Sequence, residues 1–234
     1  MIYLSKGRVH VSIVIPTLNE ETGIREVLQS IPYRELGEPE VLVIDGGSSD
    51  GTIEVAESLG ATVIIPPEKG YGKAVLEGLK YAKGDYIVVI DGDGVYDSRE
   101  IPKLLRIMES QNADVVSGSR YLGVIKPGSI SSLHLIGDRL LAFIANMLSS
   151  TQYTDLYSGF RVVRKDFVWK IRDRITEPLQ YSLIFSAHKC NGKIVEAPIT
   201  FYPRLGKSKM STVPTGFRIL RLILSQFWRG SHEC

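Results

Sequence analysis

Cysteine is scarce, charge is balanced and no apolar run is long, and each shortage closes off a class of protein. Cys190 and Cys234 are the only cysteines in 234 residues, too few for a disulfide framework or a metal-ligating thiolate cluster. Their scarcity sets the expectation of a reducing, cytoplasmic setting. Lys and Arg total 28 against 26 Asp and Glu, giving a formal net charge of +2 without any basic block. Such a distribution suggests no nucleic-acid partner. The apolar stretches Leu140–Leu148 and Ile219–Trp228 are interrupted and fall short of the ~18 continuous apolar residues that a bilayer span needs. Met1–Arg8 holds no apolar signal core. What is present, 44% hydrophobic and 23% charged residues, matches one ordinary globular domain with one sizeable core.

The chain alternates short β-branched runs with helical periodicity. Val11–Pro16 predicts a strand, and Ile24, Val27, Leu28 and Ile31 follow at helical spacing. Val41–Asp45 repeats the strand, and Ile53, Val55, Ala56 and Leu59 repeat the helix, which Gly60 stops. Thr62–Pro66 leads through Gly70-Tyr-Gly72 into a helix carrying Ala74, Val75, Gly78, Leu79 and Ala82, which Gly84 stops. Tyr86–Asp91 is the most hydrophobic run, as befits a strand covered on both faces of a parallel sheet. A helix at Ile101–Met108, a strand at Val115–Gly118, a helix near Gly137–Ser149 and a strand at Ile194–Tyr202 complete the pattern, with Tyr153–Phe160 rich in turns. This is an α/β fold whose mainly parallel central sheet carries helices on both faces.

In open parallel sheets ligands gather at the carboxyl ends of strands, so the polar residues just after each apolar run carry the most weight. Asp91 and Asp93 stand two apart after the fourth strand, which brings their carboxylates to one side of an extended chain. Two close like charges favour a bound cation. Oxygen ligands select Mg²⁺ or Mn²⁺, ions that take substrate phosphate oxygens to complete their shell. A bare Asp-x-Asp also fits a simple turn. Asp45 ends its strand where a carboxylate can meet a ribose or base edge, or else cap a helix. Asp50, directly before Gly51 and Thr52, is placed as a helix cap with a structural role.

Pro16-Thr-Leu-Asn-Glu20, Val43-Ile-Asp-Gly-Gly-Ser-Ser-Asp-Gly-Thr52, Gly72-Lys-Ala74 with Gly84-Asp85, and Asp91-Gly-Asp93 together resemble glycosyltransferase family 2. Gly118-Ser-Arg-Tyr121, Asp155-Leu-Tyr-Ser-Gly-Phe-Arg161, Glu196-Ala-Pro-Ile-Thr-Phe201 and Arg204-Leu-Gly-Lys-Ser-Lys209 resemble its dolichyl-phosphate mannose or glucose synthase branch. The resemblance implies a GT-A fold with Pro16, Thr17, Glu20, Asp45 and Lys73 near the nucleotide and Asp91 and Asp93 on the metal. It also implies phosphate or acceptor contacts from Arg120, Arg139, Ser158, Arg204, Lys207 and Lys209. Two departures stand out. Where that branch commonly reads Asp-Ala-Asp-Leu-Gln, this chain reads Asp91-Gly-Asp-Gly-Val95, without the glutamine that can assist the metal. Ser182 stands near a position where the branch commonly has glutamate.

The implied reaction is inverting transfer of a hexose from a UDP- or GDP-linked sugar to a polyprenyl (dolichyl) phosphate. An anionic acceptor needs no strong base, whereas a hydroxyl acceptor does, and Asp155 is then the first candidate. Residues 1–212 make the catalytic domain. Residues 213–234 form an amphipathic segment with Arg218, Arg221, Ser225 and Arg229 on one face and Phe217, Leu220, Leu224 and Phe227 on another. Such a helix suits a membrane surface, placing the protein peripherally on the cytoplasmic face, and it equally suits packing on the domain. Three rivals remain: transfer to a saccharide or soluble hydroxyl, a non-catalytic nucleotide-sugar-binding module, and a nucleotidyltransferase. The last would want basic residues after the first strand, where Thr17-Leu-Asn-Glu-Glu21 is acidic.

Overall fold

The computed structural model describes residues 3–4, 7–8, 10–149, 151–176, 179–206, 219–221 and 223–225. Strands β1 (Tyr3–Leu4) and β2 (Gly7–Arg8) pair antiparallel in a small sheet of their own. The main sheet is built on β3 (Val11–Thr17), β4 (Glu40–Asp45), β5 (Thr62–Ile64), β6 (Tyr86–Val89), β7 (Val115–Ile125), β8 (Arg161–Arg164) and β9 (Ile194–Phe201). Its order is β5-β4-β3-β6-β8-β7-β9. Four of the six pairings are parallel; β8 alone runs against both its neighbours, β6 and β7.

The sheet divides the core in two because successive side chains of a strand point to opposite faces. Val14, Leu42, Ile44, Ile87 and Val89 fall on one side, with α4 (Tyr71–Tyr81), α6 (Ser132–Ser149), α7 (Lys165–Ile171) and α8 (Leu179–Lys189) over them. Ile13, Ile15, Val41, Val43 and Val88 fall on the other, under α1 (Glu21–Ser30), α3 (Thr52–Ser58) and α5 (Ile101–Gln111). Short α2 (Tyr33–Leu36) links α1 to β4. Each buried Ile or Leu contributes about 1.5–3 kcal/mol relative to exposure, so the alternation inside β3 and β4 locks their register.

Strand β8, α7 and α8 were not anticipated, and β7 runs on to Ile125 instead of ending at Gly118. Among the described residues of the C-terminal segment, Ile219 and Ile223 are buried whereas Leu224 and Arg221 are exposed. Ile219 and Ile223 thus face the core, while Phe217, Arg218, Phe227 and Arg229 of the expected faces lie outside the described residues. Cys190, buried just after α8, is disulfide-bonded, which corrects the expectation of unbridged cysteines. A bridge at Cys190 removes the support for the inferred reducing setting. No helix among the described residues is long and apolar enough to cross a membrane.

Candidate active site

The carboxyl ends of β3, β4 and β6 open at one edge of the sheet, because all three run parallel. Thr17 and Asp45 are register partners there. Asp45 is fully buried, and its carboxylate accepts from the Gly47 amide at 2.9 Å, the Ser48 amide at 2.7 Å, the Ser48 hydroxyl at 2.6 Å and the Thr17 hydroxyl at 3.1 Å. Its oxygens thus shape the loop after β4. Asp50 is not the N-cap expected of it, since Gly51 holds that position; standing one residue earlier, it accepts from the Thr52 amide at 3.1 Å and from the Glu21 amide at 3.4 Å. Thr52 in turn accepts the Glu20 amide at 2.8 Å, so the loops after β3 and β4 are tied together.

The Asp91-Gly-Asp93 loop is held by close packing on both sides. A Cβ on Gly23, in the first turn of α1, would stand 2.5 Å from the Gly92 carbonyl oxygen, and one on Gly159 would stand 2.2 Å from an Asp91 carboxylate oxygen. Glycine at both positions lets the backbone approach the acidic pair. The Tyr71 hydroxyl, at the start of α4, donates to Asp91 Oδ1 at 2.8 Å. Burial, and then the Asp93 charge, push Asp91 up to about 7, against the pull of Tyr71, Arg204 and Arg161. Burial also raises Asp93, with Arg204 opposing.

Arg204, from the loop after β9, joins this cluster. Its Nη1 lies 2.8 Å from Asp93 Oδ2 and its Nη2 donates to Glu20, while the Leu205 amide donates to the Asp93 carbonyl at 3.1 Å. Arg204 Nε is buried with no hydrogen-bond partner, an open donor at the mouth of the acidic pair. Among the described residues no three His, Cys, Asp or Glu side chains gather as a metal-ligand set. Asp91 and Asp93 therefore fit a hard divalent cation that draws its remaining ligands from phosphate and water. The residue in the glutamine position, Val95, is buried and adds no oxygen.

A second polar cluster sits where β7 loses register with β9, between Ser119 and Val124. A bulge re-aims side chains, and here it turns Arg120 inward to 5% exposure. Its Nε donates to Asp155 Oδ2 at 2.7 Å and its Nη2 to Asp155 Oδ1 at 2.8 Å and to Asp138 Oδ2 at 3.1 Å. Burial acts to lower the Arg120 pKa, but the Asp155 hydrogen bonds and charge outweigh it, so the guanidinium stays protonated. Asp155 is 2% exposed, and the Tyr157 amide also donates to it at 3.1 Å. Arg120 and Arg139 each stand over the Tyr121 ring, at 5.4 Å from its centroid.

The other expected residues are scattered. Pro16 is buried in β3. Lys73 is exposed, ion-paired with Glu68 at 3.0 Å, and lines a cavity of about 350 Å³ with Trp169 and Arg172. Ser158 is fully buried and accepts the Phe160 amide at 3.3 Å, and Ser182 accepts the Thr176 amide at 2.6 Å. Lys207 and Lys209 lie outside the described residues. Sequence reasoning missed Tyr71, Arg161 and Glu196. Tyr71 stands between two glycines after a strand, which was its signal. Arg161, 2% exposed, donates to the Ser117 hydroxyl at 3.2 Å and the Leu156 carbonyl at 3.1 Å. Glu196 accepts the Thr154 amide at 2.8 Å and the Asp155 amide at 2.9 Å, so β9 holds the loop that presents Asp155.

A parallel-sheet edge carrying a paired carboxylate loop defines the class, an α/β protein with a polar site at its strand ends. The glycosyl transferase family 2 profile matches residues 12–172, and the chain belongs to that family. It is similar to the low-salt glycan biosynthesis hexosyltransferase Agl6 of Haloferax volcanii, at 37% identity over 91% of this chain and 52% of the relative. It is also similar to glycosyltransferase AglJ of the same organism, at 32% identity over 83% of this chain and 63% of the relative. The chain thus spans only about half to under two-thirds of these relatives' length. Among solved structures, glucosyl-3-phosphoglycerate synthase of Mycobacterium tuberculosis, bound to Mn²⁺, UDP-glucose and phosphoglyceric acid, superposes with a TM-score of 0.74 at 21% identity. That match covers 96% of this chain and 82% of the synthase. The likeness establishes the shared GT-A architecture.

Proposed function

We propose that this chain is a divalent-metal-dependent, inverting glycosyltransferase that moves a hexose from a nucleoside diphosphate sugar to a polyprenyl phosphate. The observation that carries the acceptor choice is the state of the acidic side chains around the site. Asp155 and Asp138 are tied to Arg120, Asp45 to its own loop, and Glu20 to Arg204. With Asp91 and Asp93 assigned to the metal, a hydroxyl acceptor would have to break one of these pairs to find a base. A phosphate acceptor is already anionic and needs none.

In this reading Pro16, Thr17 and the loop shaped by Asp45 receive the nucleoside, with Lys73 beside it, while Asp91 and Asp93 hold Mg²⁺ or Mn²⁺. The bound cation supplies Lewis-acid stabilisation of the diphosphate leaving group. Arg204, and by the same resemblance Lys207 and Lys209, would donate to phosphate oxygens, with Asp93 turned from Arg204 to the metal. Arg120 and Arg139 orient the acceptor phosphate, Ser158 fixes the turn behind them, and Asp155 keeps the Arg120 fork aimed. An acceptor oxygen forms its bond to the anomeric carbon on the face opposite the diphosphate, whose carbon–oxygen bond breaks with the electron pair leaving on oxygen. Fixed donors at that oxygen are worth on the order of 10²–10³-fold in rate each. The protein works peripherally at a membrane surface.

The test begins with thermal shift. UDP or GDP should raise the melting temperature only with Mn²⁺ present, and Asp93→Ala should abolish the rise. Transfer of label to a short-chain isoprenyl phosphate would then support the acceptor reading, and transfer only to a sugar or other soluble hydroxyl would overturn it. Nucleotide binding without any transfer would leave a non-catalytic binding module.

A further inference from the structure

Helix α6 turns an apolar face to the outside. Leu133, Ile136, Leu140, Phe143 and Met147 are 56% to 68% exposed, while Ala142 and Ala145 on the opposite side are buried. The spacing i, i+3, i+7, i+10, i+14 puts these five residues on one stripe, running ~21 Å along the helix axis. No charged residue interrupts it. A water-facing helix of a globular protein ordinarily shows the reverse pattern, polar outside, and a contiguous apolar surface of this kind marks a contact.

The edge of the stripe identifies what covers it. Arg139 flanks the apolar residues and stands over Tyr121, and Arg120 stands over the same ring. Asp138, from the inner side of α6, accepts from the Tyr121 hydroxyl and from Arg120, each at 3.1 Å. Arg120 is buried against Asp155 and Asp138, so Arg139 is the exposed charge of this cluster, and the apolar surface begins beside it, an order that matches an anionic headgroup followed by a hydrocarbon tail. We infer that the outward face of α6 docks on an anionic lipid bilayer, lying in the interface with Arg139 at headgroup level. This rests on the lipid-phosphate reading and deepens it. The helix sets the height of the site above the bilayer, so an acceptor phosphate reaches Arg120 while its chain stays in lipid. The surface is distinct from the C-terminal segment, whose described residues bury Ile219 and Ile223.

The experiment is flotation with phosphatidylcholine–phosphatidylglycerol vesicles, comparing the wild type with the double variant Leu140→Glu, Phe143→Glu. Removing two buried-in-lipid apolar groups and adding two anions should lower the vesicle partition coefficient about a hundredfold or more. The nucleotide- and Mn²⁺-dependent thermal shift should stay unchanged, showing an intact fold. Equal flotation of both proteins would overturn the inference, as would a wild type that fails to float. A wild-type dimer by light scattering that the double variant dissociates would also overturn it, assigning the face to a second copy. A wild type that floats through α6 yet transfers no sugar to a short-chain isoprenyl phosphate would keep the docking inference and sink the acceptor reading alone.

Discussion

Asp91 titrates in a buried pair, and that gives the metal-free protein a pH dependence of definite sign. Its folded-state pKa, pushed up to about 7 by burial and by Asp93, lies above the ordinary carboxylate range of the unfolded chain. Between those values the folded state binds more protons than the unfolded one, so stability is highest at the acid end and falls as pH rises through about 7. Asp91→Asn keeps an acceptor for Tyr71 and removes the titration. Melting curves in chelator should show the wild type losing stability from about pH 4 to about pH 8, with the variant flatter over the same window. Arg204 makes a second, two-signed prediction. It now neutralises Asp93, so Arg204→Gln should tighten binding of Mn²⁺ alone several-fold, because no cation competes for that carboxylate. The same change should weaken nucleoside diphosphate binding at saturating Mn²⁺ by about tenfold, through loss of a charged donor. Isothermal titration of the two ligands in turn separates these effects, and movement of both in one direction would refute the bridge.

Helix α4 shows how element packing controls the site from a distance. A Cβ on Gly78 would stand 2.3 Å from Val14 and 3.0 Å from Ile44, so α4 lies directly on β3 and β4 because that position is glycine. Gly78→Ala must push the helix outward, and overpacking of this kind costs about 1–3 kcal/mol. Chemical denaturation should record that loss, and Tyr71, carried by the same helix, should hold Asp91 less well. The glycine itself was visible in the sequence only as one residue in an apolar helical pattern, where propensity argues mildly against it. That is a general feature of this chain. The βα units from β3 to β6 were legible because their periods switch cleanly between strand and helix. Strand β8 was hidden since Arg161 and Arg164 leave only Val162 and Val163 as an apolar run. Helix α8 was hidden for the opposite reason: from Leu179 to Ala187 nearly every residue is buried, so no polar face marks its period.

At the scale of the molecule, the two ways of joining the sheet divide the labour. Strands β3, β4 and β6 run parallel and carry Thr17, Asp45, Asp91 and Asp93, while β7 and the loop before β8 carry Arg120 and Asp155. The first half follows the strand-end rule and could be located from the sequence by position. The second half could not, because its key contacts join residues 35 positions apart through a register break that no local pattern announces. If donor and acceptor are handled by these separate halves, variants should sort accordingly. Arg120→Lys keeps the charge but cannot form the two-pronged bond to Asp155, which leaves part of a buried pair unsatisfied. Its melting temperature should therefore fall, yet the increment added by nucleoside diphosphate and Mn²⁺ should match that of the wild type. The kcat/KM for the acceptor should drop by on the order of a hundredfold, mainly through a raised acceptor KM. The reciprocal variant, Asp93→Ala, should lose the ligand increment entirely. Loss of that increment in Arg120→Lys would instead mean that the two clusters act as one site, and that the register break in β7 positions the donor as well.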